Sequence, residues 1–355
     1  MRVAERYVNK ELFSLFLFIL SFLLLVVVGG RFLSYLEEAS LGLLSSSMAL
    51  LLIVYRLPEF VQVVAPFAVF FAVLLTCSRL YAESEMAIFQ SAGVGAYGLA
   101  KWFSISIVTI SLVVAFFSLL LTPNMSSLME EFLVDQRKTS SFEMITPGDF
   151  LTTKKGTYTI HTENVSPDGD FLQNIFVFEE SSSGKGISLW ARRGEITIDE
   201  EKGTRFLHLL DGIRYEGRPG RADYRVMEFR SFVQEIEYAA TESDKLKLAS
   251  TQTLDLDDSP KARGEFHWRI GLPIFCFISG FLALGLSKTK PRQGRYARVV
   301  PAALFVFSYY LLLLFNHNAL TENSVPTYLG LWLVHLLYAG LTIYSCYKID
   351  RPSTV

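Results

Sequence analysis

Side chains that could do chemistry are sparse in this sequence, and they form no pattern that activates water, a nucleophile or a metal. No G-x-x-x-x-G-K-[ST] phosphate loop is present. The stretch SSSGKGIS at 181–188 holds a Gly-Lys-Gly, but not the spacing that lets backbone N–H groups cradle a nucleotide. H-E-x-x-H, C-x-x-C and G-x-S-x-G are absent. His161, His208, His267, His317 and His335 are scattered without ligand spacing and read as solvated or packed histidines. Cys77, Cys276 and Cys346 lie in apolar stretches and read as small hydrophobes, so the polar middle of the chain must be stable without disulfides. Acids inside the apolar runs, the mark of a proton or ion path, are nearly absent; Glu59 sits at the mouth of one run. An active site and an ion-driven carrier are therefore disfavoured. Nothing in the chain hydrolyses ATP, so energy for any work must come from a partner.

Three places hold polar groups suited to binding. The segment SRLYAESEMAIFQSAGVG, 78–95, reads as a short helix at about 81–92, with Tyr81, Glu83, Ser84 and Glu85 at its start and Gly93 and Gly95 at its end. Acids at a helix start also complement the dipole, which is the simpler reading. The alternative is a handle for a soluble ATPase. A second segment, KTKPRQGRYARVVPA at 288–302, is strongly basic. Arg31 is the one charge near the far end of the first apolar run. Snorkelling explains it, and so does a contact to an anionic lipid headgroup, since guanidinium pairs well with phosphate.

The elements that must position these groups are mostly membrane helices. The 355 residues are 51% hydrophobic with a net charge of −2, which leaves no basic field for nucleic acid. A helix needs about 20 apolar residues to cross the hydrocarbon. Runs of that kind fall at 12–35, 58–80 and 98–122, and again at 266–287, 298–316 and 326–347. The first is too long, and lacks the cleavage site, for a removable signal peptide. The apolar region 41–57 is either an interfacial helix or an extension of the second span. Arg2, Arg6 and Lys10 precede the first span, and Lys288, Lys290, Arg292, Arg295 and Arg298 follow the fourth, whereas the loop near 316–325 has no Lys or Arg. The positive-inside rule then places both termini and the 288–298 loop in the cytoplasm, and the long middle section outside.

That middle section alternates apolar and polar residues between 156 and 236, as in TYTIHT and GEITIDE, with turn residues at SPDGD, SSSGKG, EEKG and GRPG. NIFVFEE and FLHLL are apolar on both faces, which predicts a sandwich or jelly roll of short strands with an apolar interior. Met125, Leu128, Met129, Phe132 and Leu133 follow helical spacing and extend the third span as an amphipathic helix. The predicted fold is membrane α-helical, six spans arranged 3+3, with an inserted extracytoplasmic all-β domain. The boundaries are 1–122 for the first three spans, 123–263 for the inserted domain and 264–355 for the last three.

Taken together, RYVNKELF at 6–13, the run LPEFVQVVAPFAVFFAVLLTCSRLYAESEMAIFQSAG at 57–93, EFHWRIGLPI at 265–274 and PRQGR at 291–295 resemble the LptF/LptG family of lipopolysaccharide-export permeases over essentially the whole chain. PRQGR leans toward the LptF branch, and Lys290 departs from the small polar residue expected there. The resemblance implies a permease subunit of an ABC transporter that extracts lipopolysaccharide from the inner membrane. It implies an LptG-like six-helix partner, an LptB-like ATPase dimer that supplies ATP and Mg, and an LptC-like bridge protein. No cofactor is implied in this chain. Tyr81, Glu83, Ser84 and Glu85 would couple to the ATPase. Arg31 and Arg56 would meet lipid phosphates, and Pro291, Arg292, Gly294 and Arg295 would form a cytoplasmic motif loop. The first and fifth spans would line lateral gates. A mechanotransmission permease, a membrane receptor or scaffold, and an enzyme on lipid-linked sugars remain as rival readings. A stoichiometric ATPase separates the permeases from the others.

Overall fold

A computed structural model describes residues 2–40, 46–139, 148, 150–152, 158–166, 171–180, 186–199, 204–217, 224–236, 249–256, 259–288, 298–324 and 330–349. The chain divides into two compact units, Met1–Glu130 with Ser243–Val355, and Glu131–Glu242.

In chain order the helices are α1 Arg2–Ser40, α2 Ser46–Ala82, α3 Glu85–Ser91, α4 Ala96–Phe116, a π-helical turn Phe117–Leu121, α5 Thr122–Thr139, α6 Thr251–Leu256, α7 Pro260–Leu286, α8 Val299–Thr321 and α9 Gly330–Ile349. Among the described residues five are long and apolar enough to cross a membrane: Val3–Leu36, Leu50–Ala82, Tyr97–Met129, Pro260–Leu286 and Val299–Thr321. α9 has 20 residues but carries His335 and ends on Tyr344, Tyr347 and Lys348; it is not one of the five.

The helices run longer than the apolar runs alone suggest. At 1.5 Å per residue α1 extends about 58 Å, well beyond a bilayer core of about 30 Å. Residues 46–57 are the start of α2 and not a separate interfacial helix, because the helix runs through Pro58 into the span. Pro58 and Pro66 sit inside α2 without ending it, as neighbouring helices permit in a membrane bundle. α8 does not stop at 316. It continues to Thr321, where His317 packs its ring 4.9 Å from that of Trp268.

Burial identifies the centre of this unit. Of the most apolar stretch of each helix, 78% of α2 and 61% of α7 is buried, against 28% of α4, 22% of α8 and 11% of α1. α2 and α7 are thus enclosed, while α1 and α8 turn apolar flanks outward, as a lipid solvent allows. Phe67, Phe70, Phe275 and Tyr309 fill the shared core. Glycine lets α7 approach its neighbours: a Cβ on Gly280 would stand 2.9 Å from Ile107, and one on Gly285 2.6 Å from Ser345.

The second unit is one antiparallel sheet of six strands in the order β1-β2-β3-β4-β5-β6, so neighbours in sequence are neighbours in space. The strands are β1 Phe150–Thr152, β2 Tyr158–Val165, β3 Leu172–Glu180, β4 Gly186–Asp199, β5 Thr204–Gly217 and β6 Arg225–Ile236. This is a meander; the Greek-key crossings of a jelly roll are not among the described pairings. Nor are the strands all short, since β4 and β5 have 14 residues each.

Long strands are possible here because the sheet is creased. Pairing skips one transverse row, Glu163, Asn174, Arg192, Asp211 and Arg230, although the register continues unchanged on both sides of it. Asn174 and Asp211 both sit at φ 51, a left-handed conformation these two side chains tolerate better than most. In an ordinary strand residues three apart point to opposite faces. Here Leu172 and Ile175, Ala191 and Gly194, and Leu209 and Gly212 are all buried. Each strand therefore changes face at the crease, and both halves of the sheet share one core of Leu172, Ile175, Val177, Leu189, Leu207 and Leu209. Small residues are required where the halves close. A Cβ on Gly194 would fall 2.2 Å from Ile175, and one on Gly212 2.3 Å from the Trp190 carbonyl oxygen.

Candidate functional site at the break between α2 and α3

The polar segment between the second and third spans is a helix break. α2 runs through Tyr81 to Ala82, the chain turns at Glu83 and Ser84, and α3 begins at Glu85. Ser84 turns with φ 61, an uncommon value for a residue with a side chain. α3 ends at Gly93, φ 84, where Val94 N–H donates to the Phe89 carbonyl at 2.8 Å and Gly93 N–H to that of Gln90 at 3.0 Å. That pattern satisfies the last carbonyls through a left-handed glycine. One face of α3 is apolar and inward: Met86 is buried, and the Phe89 ring meets the Trp102 ring of α4 edge-on at 5.7 Å. The other face, with Ser84, Ala87, Ile88 and Ser91, is exposed, and Ile88 is 67% exposed despite being apolar.

Arg79, one turn before the break, organises its acids. Its Nε and one terminal nitrogen donate to the two carboxylate oxygens of Glu11 on α1. The other terminal nitrogen donates to Glu83 at 2.6 Å and to Glu85 at 2.9 Å. Tyr7 completes the set, accepting through its hydroxyl at 3.0 Å. The five N–H bonds of a guanidinium are all used. Three carboxylates around one cation leave two negative charges in excess. Beside this cluster lies a cleft of about 610 Å³ lined by Tyr7, Lys10, Glu11, Ser14, Leu75 and Arg79. Asn9 adds a neutral tie, donating to the Trp102 carbonyl at 3.1 Å and accepting from Ser106 at 2.6 Å. The starts of α1 and α4 therefore meet at this end of the unit.

Of the residues expected at a coupling helix, Glu83 and Glu85 are brought together, Ser84 forms the turn between them, and Tyr81 is half-buried in the last turn of α2. Only Glu85 belongs to α3, which is shorter than the expected 81–92. Arg79 and Glu11 were not anticipated. Arg79 lies four residues before Glu83, a helical pair spacing visible in sequence. Glu11 is 68 residues away, and no local signal points to it. The Glu11–Arg79 pair sets α1 and α2 antiparallel, so Arg31, exposed on α1, and Arg56, half-buried on α2, both fall toward the opposite end of the unit. Pro291, Arg292, Gly294 and Arg295 lie outside the described residues.

A second arginine serves that opposite end. Arg269 of α7 is 4% exposed. It donates to Glu265 at 3.0 Å, to the Ala249 carbonyl at 2.9 Å and to Thr251 at 3.2 Å. Thr251 donates to the carbonyl of Leu119 in the π turn at 2.7 Å, and Ser118 donates to the carbonyl of Arg269 at 2.9 Å. Among the described residues no three His, Cys, Asp or Glu side chains are grouped as a metal site.

Comparison with known proteins gives a consistent picture. The profile of a family described as lipopolysaccharide export system permease LptF/LptG matches residues 6–348. Lipopolysaccharide export system permease protein LptF of Escherichia coli (strain K12) is 26% identical over 345 residues, covering 95% of this chain and 93% of the relative. The protein of the same description from Shigella flexneri aligns with the same figures.

Proposed function

Because the chain belongs to the LptF/LptG family of lipopolysaccharide export permeases, we propose that a partner ATPase grips it at the break between α2 and α3, and that lipid enters beside α1 and α8. The chain is a permease subunit of a lipopolysaccharide-export ABC system, a multi-pass protein of the inner membrane, and a transport subunit, not an enzyme. The observation that carries the coupling role is the exposed Ser84–Ile88 face beside an acid-rich cluster with two unbalanced negative charges. It is suited to a basic groove on an LptB-like ATPase dimer, which binds the ATP and Mg.

In this reading α9 is the sixth span. Both termini and the PRQGR loop face the cytoplasm, with Pro291, Arg292, Gly294 and Arg295 beside the ATPase. The unit Glu131–Glu242 stands in the periplasm as a jelly-roll-like domain. The functional divisions remain 1–122, 123–263 and 264–355. An LptG-like permease forms the other half of the cavity, and an LptC-like protein continues the bridge toward the outer membrane. The low burial of α1 and α8 supports their assignment as gate helices. Arg31 and Arg56 supply cations for lipid phosphates at the end away from the ATPase. Each acyl CH₂ exposed to water costs about 0.8 kcal/mol, so a multi-chain lipid needs an apolar route. The creased sheet, with its apolar core, is suited to provide one.

The test is purification of the tagged chain in mild detergent, with mass spectrometry of what accompanies it. Two ATPase copies, a homologous permease and bound lipopolysaccharide are expected. An ATPase without lipid would remove the lipid route, and neither would remove the coupling role as well. Arg31→Glu is expected to weaken lipid photocrosslinking with assembly intact.

A further inference from the structure

The geometry points to the Arg79–Glu11 pair as the link that carries the ATPase's stroke from the coupling segment into α1, with Arg79 the positioning residue. The inference rests on the docking role given above to Glu83–Ser91.

α3 is held to the rest of the unit in three ways. The Glu83–Ser84 turn joins it to α2, Met86 and Phe89 pack it inward and onto α4, and Arg79 ties Glu83 and Glu85 electrostatically. The second reaches α1 only through the non-directional apolar cluster that Met86 shares with Val8 and Leu12, whereas the third bonds to it directly. It does so through the stronger half of the guanidinium, because Glu11 takes two parallel N–H bonds whereas Glu83 and Glu85 take one each. A bidentate fork fixes angle as well as distance. The single bonds to Glu83 and Glu85 are the exchangeable ones. A basic group on a docking partner can take over these carboxylates while Arg79 stays locked to α1. Without the pair, the turn at Ser84 is free to absorb the stroke as a hinge, and α1 is left to the apolar packing of Val8 and Leu12 and to its neutral Asn9 contacts with α4. Lysine cannot substitute, having three donors in no fixed plane.

The experiment uses the whole exporter, this chain with its partner permease and ATPase, in proteoliposomes loaded with lipopolysaccharide. ATPase copies retained and lipopolysaccharide released per ATP hydrolysed are measured separately. Glu11→Gln is expected to keep the ATPase but lower release per ATP about tenfold, the scale of losing one charge-assisted hydrogen bond. Arg79→Lys is expected to do the same, and Glu11→Gln added to Arg79→Lys to cost nothing more. Parental release per ATP in either variant overturns the link. So does loss of the ATPase in step with transport in Glu11→Gln, because the pair would then serve docking. Glu85→Lys is the control for the underlying reading. If it retains both ATPase and transport, the docking segment itself is wrong, whatever Glu11→Gln does.

Should the variants fail to fold, spin labels at Phe13 on α1 and Ile88 on α3 of the parent decide. One distance kept between nucleotide-free and ATP-trapped exporter supports the link. α3 moving while that distance changes overturns it.

Discussion

Arg79 and Arg269 stand at the two ends of the helical unit and both stitch helices together, yet they are built on different terms. Arg269 is buried, pairs with Glu265 and also donates to a carbonyl and a hydroxyl. It ties the segment 249–251 to α7 at a point where the π turn is also held. Arg79 keeps 17% of its side chain exposed and gathers three carboxylates, of which Glu83 is half-exposed. The first arrangement is buried and closed. The second is unbalanced and open on one side, as expected of a group that must exchange partners. An arginine that staples and an arginine that couples differ less in the number of their bonds than in how open their carboxylates are to exchange.

Substitution at each arginine tests that contrast most strongly. Arg269→Ala leaves Glu265 largely enclosed and uncompensated, and a broken buried pair costs about 3–5 kcal/mol. The purified complex is expected to melt markedly lower, with release per ATP unchanged in whatever folds. Arg79→Ala is expected to cost less stability, about 1–2 kcal/mol given its exposure, but to lose coupling. Equal melting curves for the two variants would erase the distinction. Next in size, Thr251→Val removes the donor to Leu119 and an acceptor of Arg269 and should cost about 1–2 kcal/mol, read as a small drop in melting temperature. Smallest is the effect of salt. Raising ionic strength toward 1 M shortens screening to about 3 Å, so the penalty of Arg79→Ala should shrink while that of Arg269→Ala stays. A salt response at Arg269 would mean that its surroundings are wetter than their burial implies.

The helical part was largely legible because apolar length is measured against a fixed bilayer thickness, and few other structures demand such runs. Its errors lie at polar margins. Asn316, His317 and Asn318 read as loop, yet α8 continues through them because His317 finds a packed place against Trp268. The strands were legible from alternation, but the crease was not. Asp211-Gly212 between apolar residues is a strong hairpin signal, and here it lies inside a single 14-residue strand. Its left-handed residue bends the strand because matching residues on neighbouring strands break pairing in the same row, which is a property of the sheet and of no one segment. At the coupling break, Glu83, Ser84 and Glu85 stood out as polar residues between spans. Their organiser did not, because Arg79 acquires its meaning only when α1 brings Glu11 across from another part of the chain.

The π turn at Phe117–Leu121 fixes an angular phase. One residue corresponds to about 100° around an α-helix, and a π turn accommodates an extra residue without breaking the helix. The start of α5, Thr122–Glu130, is rotated by that amount relative to α4. The stripe of Met125, Leu128 and Met129 on α5 is therefore aimed by a count of residues far more than by its own composition. Deleting one residue from 117–121 would preserve every apolar side chain of the stripe and still turn it by about a quarter of a circle.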